Sequence, residues 1–273
     1  MSAAALLAAM QAAGLEPHTA LDLVDGKLVR YRVTGDKPGS RNGWVVLHGD
    51  VQAGAFGSWR TGESHTWRGR IDGAESPAAA AERRRRLAEL RQQQEQEQAR
   101  VQDDAIRRAA RLLQAARRAS DSHPYLRRKG VRAYGIRQLR EQLVIPIRDS
   151  AGVTRSIQFI DPDGSKRFLT GGQVQGCYFA IGALPGPLLV CEGYATGATL
   201  HEACGYPVAV SFNAGNLEPV ARAIRAKYPS AKLVVCADDD ANTPGNPGLT
   251  KARAAARAVG AALAVPKFEE RAA

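Results

Sequence analysis

A chain of 273 residues can bury one large or two modest cores. Its 38 Lys and Arg against 27 Asp and Glu give a formal charge of +11, which favours a polyanionic partner, nucleic acid first. No apolar run reaches transmembrane length, and residues 1–13 lack the basic start and cleavage pattern of a signal peptide; this argues against a membrane partner and predicts a cytoplasmic protein.

Residues 1–72 read as an N-terminal α+β unit. Strand-like alternation runs over 21–33, 44–48 and 55–59, broken by Gly-, Pro- and Asn-containing turns. Aromatic and basic residues interleave there, among them Tyr31, Arg32, Trp44, Phe56, Trp59, Arg60, Trp67 and Arg70. Such a mix either stacks bases and holds phosphates or supplies core aromatics inside a solvated basic rim, since a unit this small needs aromatic bulk. From 73 to 119 the composition turns basic and rich in Gln and Glu, around a sparse apolar set of Leu87, Leu90, Ile106, Leu112 and Leu113. The pattern predicts a long, mostly exposed helical connector that adds charge without core.

Residues 120–182 open with His123-Pro124-Tyr125-Leu126-Arg127-Arg128-Lys129-Gly130 and continue as short strands over 143–147, 153–160, 166–169 and 177–181. Turn signals such as Asp161-Pro162-Asp163-Gly164 recur about every ten residues, which predicts a small antiparallel, β-rich unit. Over 183–268 strand and helix alternate instead. Strands are expected at 188–191, 208–212, 233–237 and 263–265, and helices at 196–204, 217–228 and 249–259, with Gly205 and Gly260 at the helix C-caps. Four strands with three crossover helices make a small doubly wound parallel sheet, so the fold class is α/β. The four cysteines (Cys177, Cys191, Cys204, Cys236) have no C-x-x-C spacing, so no zinc is expected and no disulfide framework is indicated.

Two strands of that sheet end in acid: Glu192 follows 188–191, and Asp238-Asp239-Asp240 follows 233–237. Parallel strands direct their carboxyl ends to one edge, where ligands bind. Glu192, Asp238 and Asp240 would converge there, and carboxylates at close range need a cation to stay ionised together. Oxygen ligands without His or Cys favour Mg²⁺ or Mn²⁺. Asn213, after the neighbouring strand, either bonds a nucleotide or shapes its loop.

These motifs, in this order, resemble the TOPRIM domain of bacterial primases, topoisomerases and some nucleases. Upstream, Leu143-Val-Ile-Pro-Ile-Arg-Asp-Ser-Ala-Gly152 and Lys166-Arg-Phe-Leu-Thr170 are similar to the primase catalytic core leading into Glu192-Gly-Tyr194. The group most alike is the primase-like proteins of plasmids and phages, of the conjugative-plasmid type. The resemblance implies Glu192 as general base or metal-site organiser and Asp238 and Asp240 as divalent-metal ligands, the three together forming the catalytic set. It assigns Lys166 and Arg167, with Arg127, Arg128 and Lys129, to nucleotide or nucleic-acid binding. It also implies a DNA-directed primase, a nucleotidyltransferase acting on single-stranded DNA with nucleoside triphosphates and Mg²⁺ or Mn²⁺. A replicative helicase or another replication protein would be a further partner. Three features depart from replicative primases: Thr196 stands where they commonly have an Asp, a further acidic motif has no clear match, and no zinc-binding module is present at the N-terminus. A metal-dependent nuclease using the same carboxylates, and a non-catalytic nucleic-acid-binding accessory, are the alternatives.

Overall fold

The computed structural model describes residues 2–49, 52–58, 63–69, 77–183, 185–239, 243 and 245–266. It divides into two compact units, Met1–Gln96 and Glu97–Ala273. None of the described helices is long and apolar enough to cross a membrane.

In the first unit, helix α1 (Ser2–Ala12) precedes an antiparallel sheet of β1 (Val29–Tyr31), β2 (Gly43–His48), β3 (Ala53–Ser58) and β4 (Ser64–Arg68), in that spatial order. Leu6 and Met10, one helical turn apart, pack with Tyr31, Val45, Phe56 and Trp67. Those three aromatics are therefore core and not a base-stacking surface, and the Tyr31 hydroxyl donates to the Leu15 carbonyl at 2.8 Å. Trp59, Arg60 and Arg70 lie outside the described residues. The strand expected over 21–33 shrinks to Val29–Tyr31, because the chain first turns at Asp25-Gly26. There Gly26 (φ 68°) donates its N–H to Leu47 O at 2.7 Å.

Helix α2 (Pro77–Ala115) has 39 residues, about 58 Å at the usual helical rise. Its last turns are not the coreless face that a count of Leu and Ile predicts. Ala105 and Ala109 are fully buried, and Ala109 and Ala116 join Val144, Ile157 and Phe159 in one cluster. Alanine buries little area per residue but lets a helix approach a sheet closely.

The sheet beneath is antiparallel, ordered β5 (Arg117–Arg118), β6 (Arg137–Leu139), β7 (Gln142–Arg148), β8 (Thr154–Ile160) and β9 (Lys166–Phe168). Helix α3 (Pro124–Lys129) lies between β5 and β6 in the chain. Pro146 is tolerated within β7 because the β6 pairing stops at Val144. The Asp161–Ser165 turn closes as expected, with the Asp163 carboxylate accepting from both the N–H and the hydroxyl of Ser165 at 2.8 Å.

The last sheet comprises β10 (Phe179–Ile181), β11 (Leu188–Cys191), β12 (Val208–Val210), β13 (Leu233–Cys236) and β14 (Ala262–Ala264), ordered β10-β12-β11-β13-β14. It is parallel except for its edge strand β10. Between the strands run α4 (Tyr194–Cys204), α5 (Leu217–Lys227) and α6 (Pro247–Val259). Gly205 and Gly260 take left-handed C-cap conformations, φ 72° and 61°. Strand alternation divides the core cleanly. Leu188, Val190, Leu233 and Val235 meet Val220, Ile224, Ala252 and Ala256 of α5 and α6. Leu189, Cys191, Val208 and Val210 face the other way, towards Tyr194 and Ala198 of α4 and towards Leu143, Ile145, Ile147 and Ile160 of the antiparallel sheet. This is the doubly wound α/β arrangement expected of the C-terminal half.

Candidate active site

Strands β11 and β13 are neighbours, with Leu188 opposite Leu233 and Val190 opposite Val235. The same register carried two residues further sets Glu192 beside Ala237, so that Asp238 follows one step beyond. Both carboxylates thus leave adjacent strands at the same edge, and both residues are half-buried. On the other side of β11, the Glu192 carbonyl accepts from Phe212 N–H at 2.7 Å, and the Cys191 carbonyl accepts from Ser211 N–H at 2.9 Å and Ser211 Oγ at 3.0 Å. Three strand ends are therefore tied together where Glu192 emerges. Helix α4 starts at once after Gly193 and lies close on the sheet at Gly197, where a Cβ would fall 2.8 Å from Val210 Cγ2. That seating brings Thr196 Oγ1 to 3.5 Å from Asp238 Oδ1.

Strand β9 of the antiparallel sheet supplies the cation. Its alternation sends Lys166 and Phe168 to one face and Arg167 to the other. Lys166 is exposed on β9, but crowding of its ammonium by protein is the first cause that holds it below the usual lysine value, and the Lys129 charge adds to it; Glu192 and Asp238 act in the opposite sense. Lys166, Lys129, Glu192 and Asp238 thus share one electrostatic neighbourhood. Phe168 meets Phe212 edge-on.

Not every candidate gathers there. Arg167 turns away, its guanidinium 4.1 Å from the centre of the Phe159 ring and 2.9 Å from Gln142 Oε1. Arg127 and Arg128 are exposed in the last turn of α3, with Arg128 held to the Pro162 carbonyl at 3.1 Å, whereas Lys129 of the same turn, also exposed, is the one whose charge reaches Lys166. Asn213 is half-buried in the loop after β12, where its carbonyl accepts from Ser211 Oγ at 3.3 Å. Asn216, by contrast, is a structural clamp. It is 3% exposed, accepts from Gly176 N–H and donates to the carbonyls of Val174, Cys177 and Ser211. Asp239 is bonded by Asn246 Nδ2 at 2.7 Å, which ties the acidic run to the start of α6. Asp240 lies outside the described residues.

Sequence reasoning passed over two contributors. Thr196 was visible only as a missing acid, and Phe168 only as an apolar strand residue. Alternation along β9 from Lys166 would have marked Phe168. Among the described residues no group of three or more His, Cys, Asp or Glu is assembled to hold a metal. The oxygens of Glu192, Asp238 and Thr196 are the donor type that suits Mg²⁺ or Mn²⁺, not a thiolate- or imidazole-seeking ion.

Residues 187–270, which hold most of the parallel sheet and its acidic edge, match the Toprim domain family. The chain is 35% identical over 259 residues to a DNA primase TraC of Escherichia coli, covering 90% of this chain and 24% of that protein. A second DNA primase TraC of Escherichia coli is 34% identical over 281 residues, 98% of this chain and 19% of that protein. Residues 187–270 thus carry a Toprim domain, in a chain that is similar to these DNA primase TraC proteins and spans at most 24% of their length. Among solved structures, it is similar to a chain of the bacteriophage T7 assembly in which the lagging-strand DNA polymerase meets the primase domains of two gp4 subunits. The TM-score is 0.41 at 18% identity, over 58% of this chain and 83% of that one. The DnaG catalytic core gives 0.36 at 16% identity, over 58% and 66%.

Proposed function

We propose that the chain is a primase-like nucleotidyltransferase of a mobile element that extends a primer on single-stranded DNA from nucleoside triphosphates. The observation that carries this reading is that Glu192 and Asp238 leave adjacent parallel strands at one edge, with Lys166 of the neighbouring sheet within electrostatic range of both. Opposite charges at one edge suit a triphosphate. Lys166 and Lys129 attract its oxygens, while the carboxylates hold a divalent cation against them.

Glu192, Asp238 and Asp240 would hold Mg²⁺ or Mn²⁺, which when bound supplies neutralisation of the phosphate charge. Glu192 is the base that takes the proton of the attacking 3′-hydroxyl. The Thr196 hydroxyl orients the Asp238 carboxylate. Lys166 lies against the phosphates that leave, where its positive charge stabilises the transition state more than the ground state. Arg127 and Arg128, with Arg167 on the opposite face of β9 from Lys166, bind the nucleic-acid backbone without reading its sequence, and Asn213 bonds the nucleotide.

The test is primer synthesis on single-stranded DNA with labelled nucleotides and Mg²⁺ or Mn²⁺, beside a reaction lacking nucleotides. Labelled products should appear and be lost in Glu192→Gln and Asp238→Asn, both of which should remain folded. Cleavage of the template without nucleotides would instead identify a nuclease. Salt-sensitive DNA binding with neither activity would identify an accessory.

A further inference from the structure

Phe168 is 37% exposed, although it belongs to a strand whose partner β8 is largely buried. It stands two residues after Lys166 and therefore on the same face of β9, about 7 Å along the strand. Its ring is braced by Phe212, with centroids 6.2 Å apart and planes at 84°. Phe212 is itself held in an unusual state. Its φ of 73° is a left-handed conformation that bulky residues rarely adopt. Its N–H is bonded to the Glu192 carbonyl at 2.7 Å, and the residue is 8% exposed. The backbone is thus bent at the residue that touches both the Glu192 strand end and the Phe168 ring. Strain of this kind persists only where the surroundings enforce it, and it concentrates at ligand sites.

We propose that Phe168 is a stacking platform for a nucleobase whose phosphates lie against Lys166. The inference rests on the nucleotidyl-transfer reading and adds a positioning group to it. A rigid, partly open aromatic ring one strand step from a phosphate-seeking ammonium matches the two ends of a nucleotide. Aromatic stacking accepts every base, because each has a π-face. The ring therefore contributes affinity without sequence preference. The base belongs either to the incoming nucleotide or to the DNA strand.

Calorimetric titration of the full chain with Mn²⁺ present separates these cases, using three ligands: a non-hydrolysable nucleoside triphosphate, inorganic tripolyphosphate and an oligothymidylate. Phe168→Ala should weaken the nucleotide roughly ten-fold, in line with the loss of one base stack, and leave tripolyphosphate unchanged. Phe168→Trp should restore nucleotide affinity and add a fluorescence signal, quenched by nucleotide, beyond that of the three native tryptophans. Weakening confined to the oligothymidylate would support the platform and assign its base to the DNA strand. If the wild type binds nucleotide and DNA and Phe168→Ala binds both equally well, the platform is wrong and nucleotidyl transfer stands. Equal weakening of tripolyphosphate would likewise overturn stacking in favour of a general disturbance of the site. If the wild type binds none of the three, the nucleotidyl-transfer reading falls and the platform with it.

Discussion

Thr196 Oγ1 lies 3.5 Å from Asp238 Oδ1, so the first turn of α4 reaches the acidic end of β13 with a hydroxyl. A carboxylate at this position would face Asp238 at short range with no cation between them. Thr196→Asp should therefore destabilise the metal-free protein by about 1–3 kcal/mol, through like-charge repulsion. For a unit of this size that corresponds to a fall in Tm of roughly 2–10 °C. Mn²⁺ should reverse the loss and give a larger stabilisation than in the wild type. Thermal melts of both proteins with and without Mn²⁺ check this, and an unchanged metal response would show that position 196 is not near the cation.

Metal and nucleotide should bind cooperatively. Mg²⁺ gives up its water reluctantly and usually shares protein carboxylates with substrate phosphates, so weak binding is expected in the absence of nucleotide. A non-hydrolysable nucleoside triphosphate should raise Mn²⁺ affinity, and Mn²⁺ should raise nucleotide affinity by the same factor. Titration calorimetry in both orders measures the two factors. Tight metal binding without nucleotide would reveal a further protein ligand.

Where the chain is cut should decide whether the second unit survives. A fragment starting at Glu97 keeps Ala105, Ala109 and Ala116 and should be soluble and folded. A fragment starting at Ser120 uncovers Val144, Ile157 and Phe159, and each large apolar side chain returned to water costs about 1.5–3 kcal/mol. Light scattering and circular dichroism should find the shorter fragment aggregated or much less stable. Equal stability of the two would mean that the end of α2 contributes nothing to the core.

Asp149 gives the fold a defined acid sensitivity. Burial pushes its carboxyl up, but Arg155 at 2.7 Å and the N–H groups of Val153 and Ala151 outweigh that and hold it below the usual value. Because the folded pKa is the lower one, the stabilisation is complete above the unfolded value. It is lost as pH falls through the folded value. Asp149→Asn should cost about 1–3 kcal/mol at pH 7, where it removes charge-assisted hydrogen bonds. The difference between the two proteins should begin to shrink as pH falls below the ordinary Asp value of about 3.9 and go on shrinking through the lower folded value, by denaturant melts as a function of pH.

The parallel sheet was legible because its strands were short apolar runs, two of them leading into acid, and because Gly205 and Gly260 close two of its three helices. Sequence spacing also brought Glu192 and Asp238 to one edge, because parallel connection leaves little choice. What stayed hidden depended on partners remote in sequence. Lys166 and Arg167 are adjacent and chemically alike, and only the alternation of β9 separates the one within electrostatic range of the carboxylates from the one stacked on Phe159. Asn213 and Asn216 looked equivalent until the carbonyls surrounding Asn216 showed it to be a clamp. The burial of Ala105 and Ala109 was invisible because alanine marks a close helix approach and an exposed helix equally well.

The core shared by the two sheets of the second unit separates lineage from folding. The stretch recognisable as Toprim begins at residue 187, yet Leu189, Cys191, Val208 and Val210 are shielded by Leu143, Ile145, Ile147 and Ile160, which precede it. Transplanted at its family boundary, the segment would carry its acidic edge intact and present a wet, apolar underside. The smallest portable unit that keeps the acidic edge on a covered core is therefore the pair of sheets, and a chimaera that moves one without the other should inherit the motif and lose the fold.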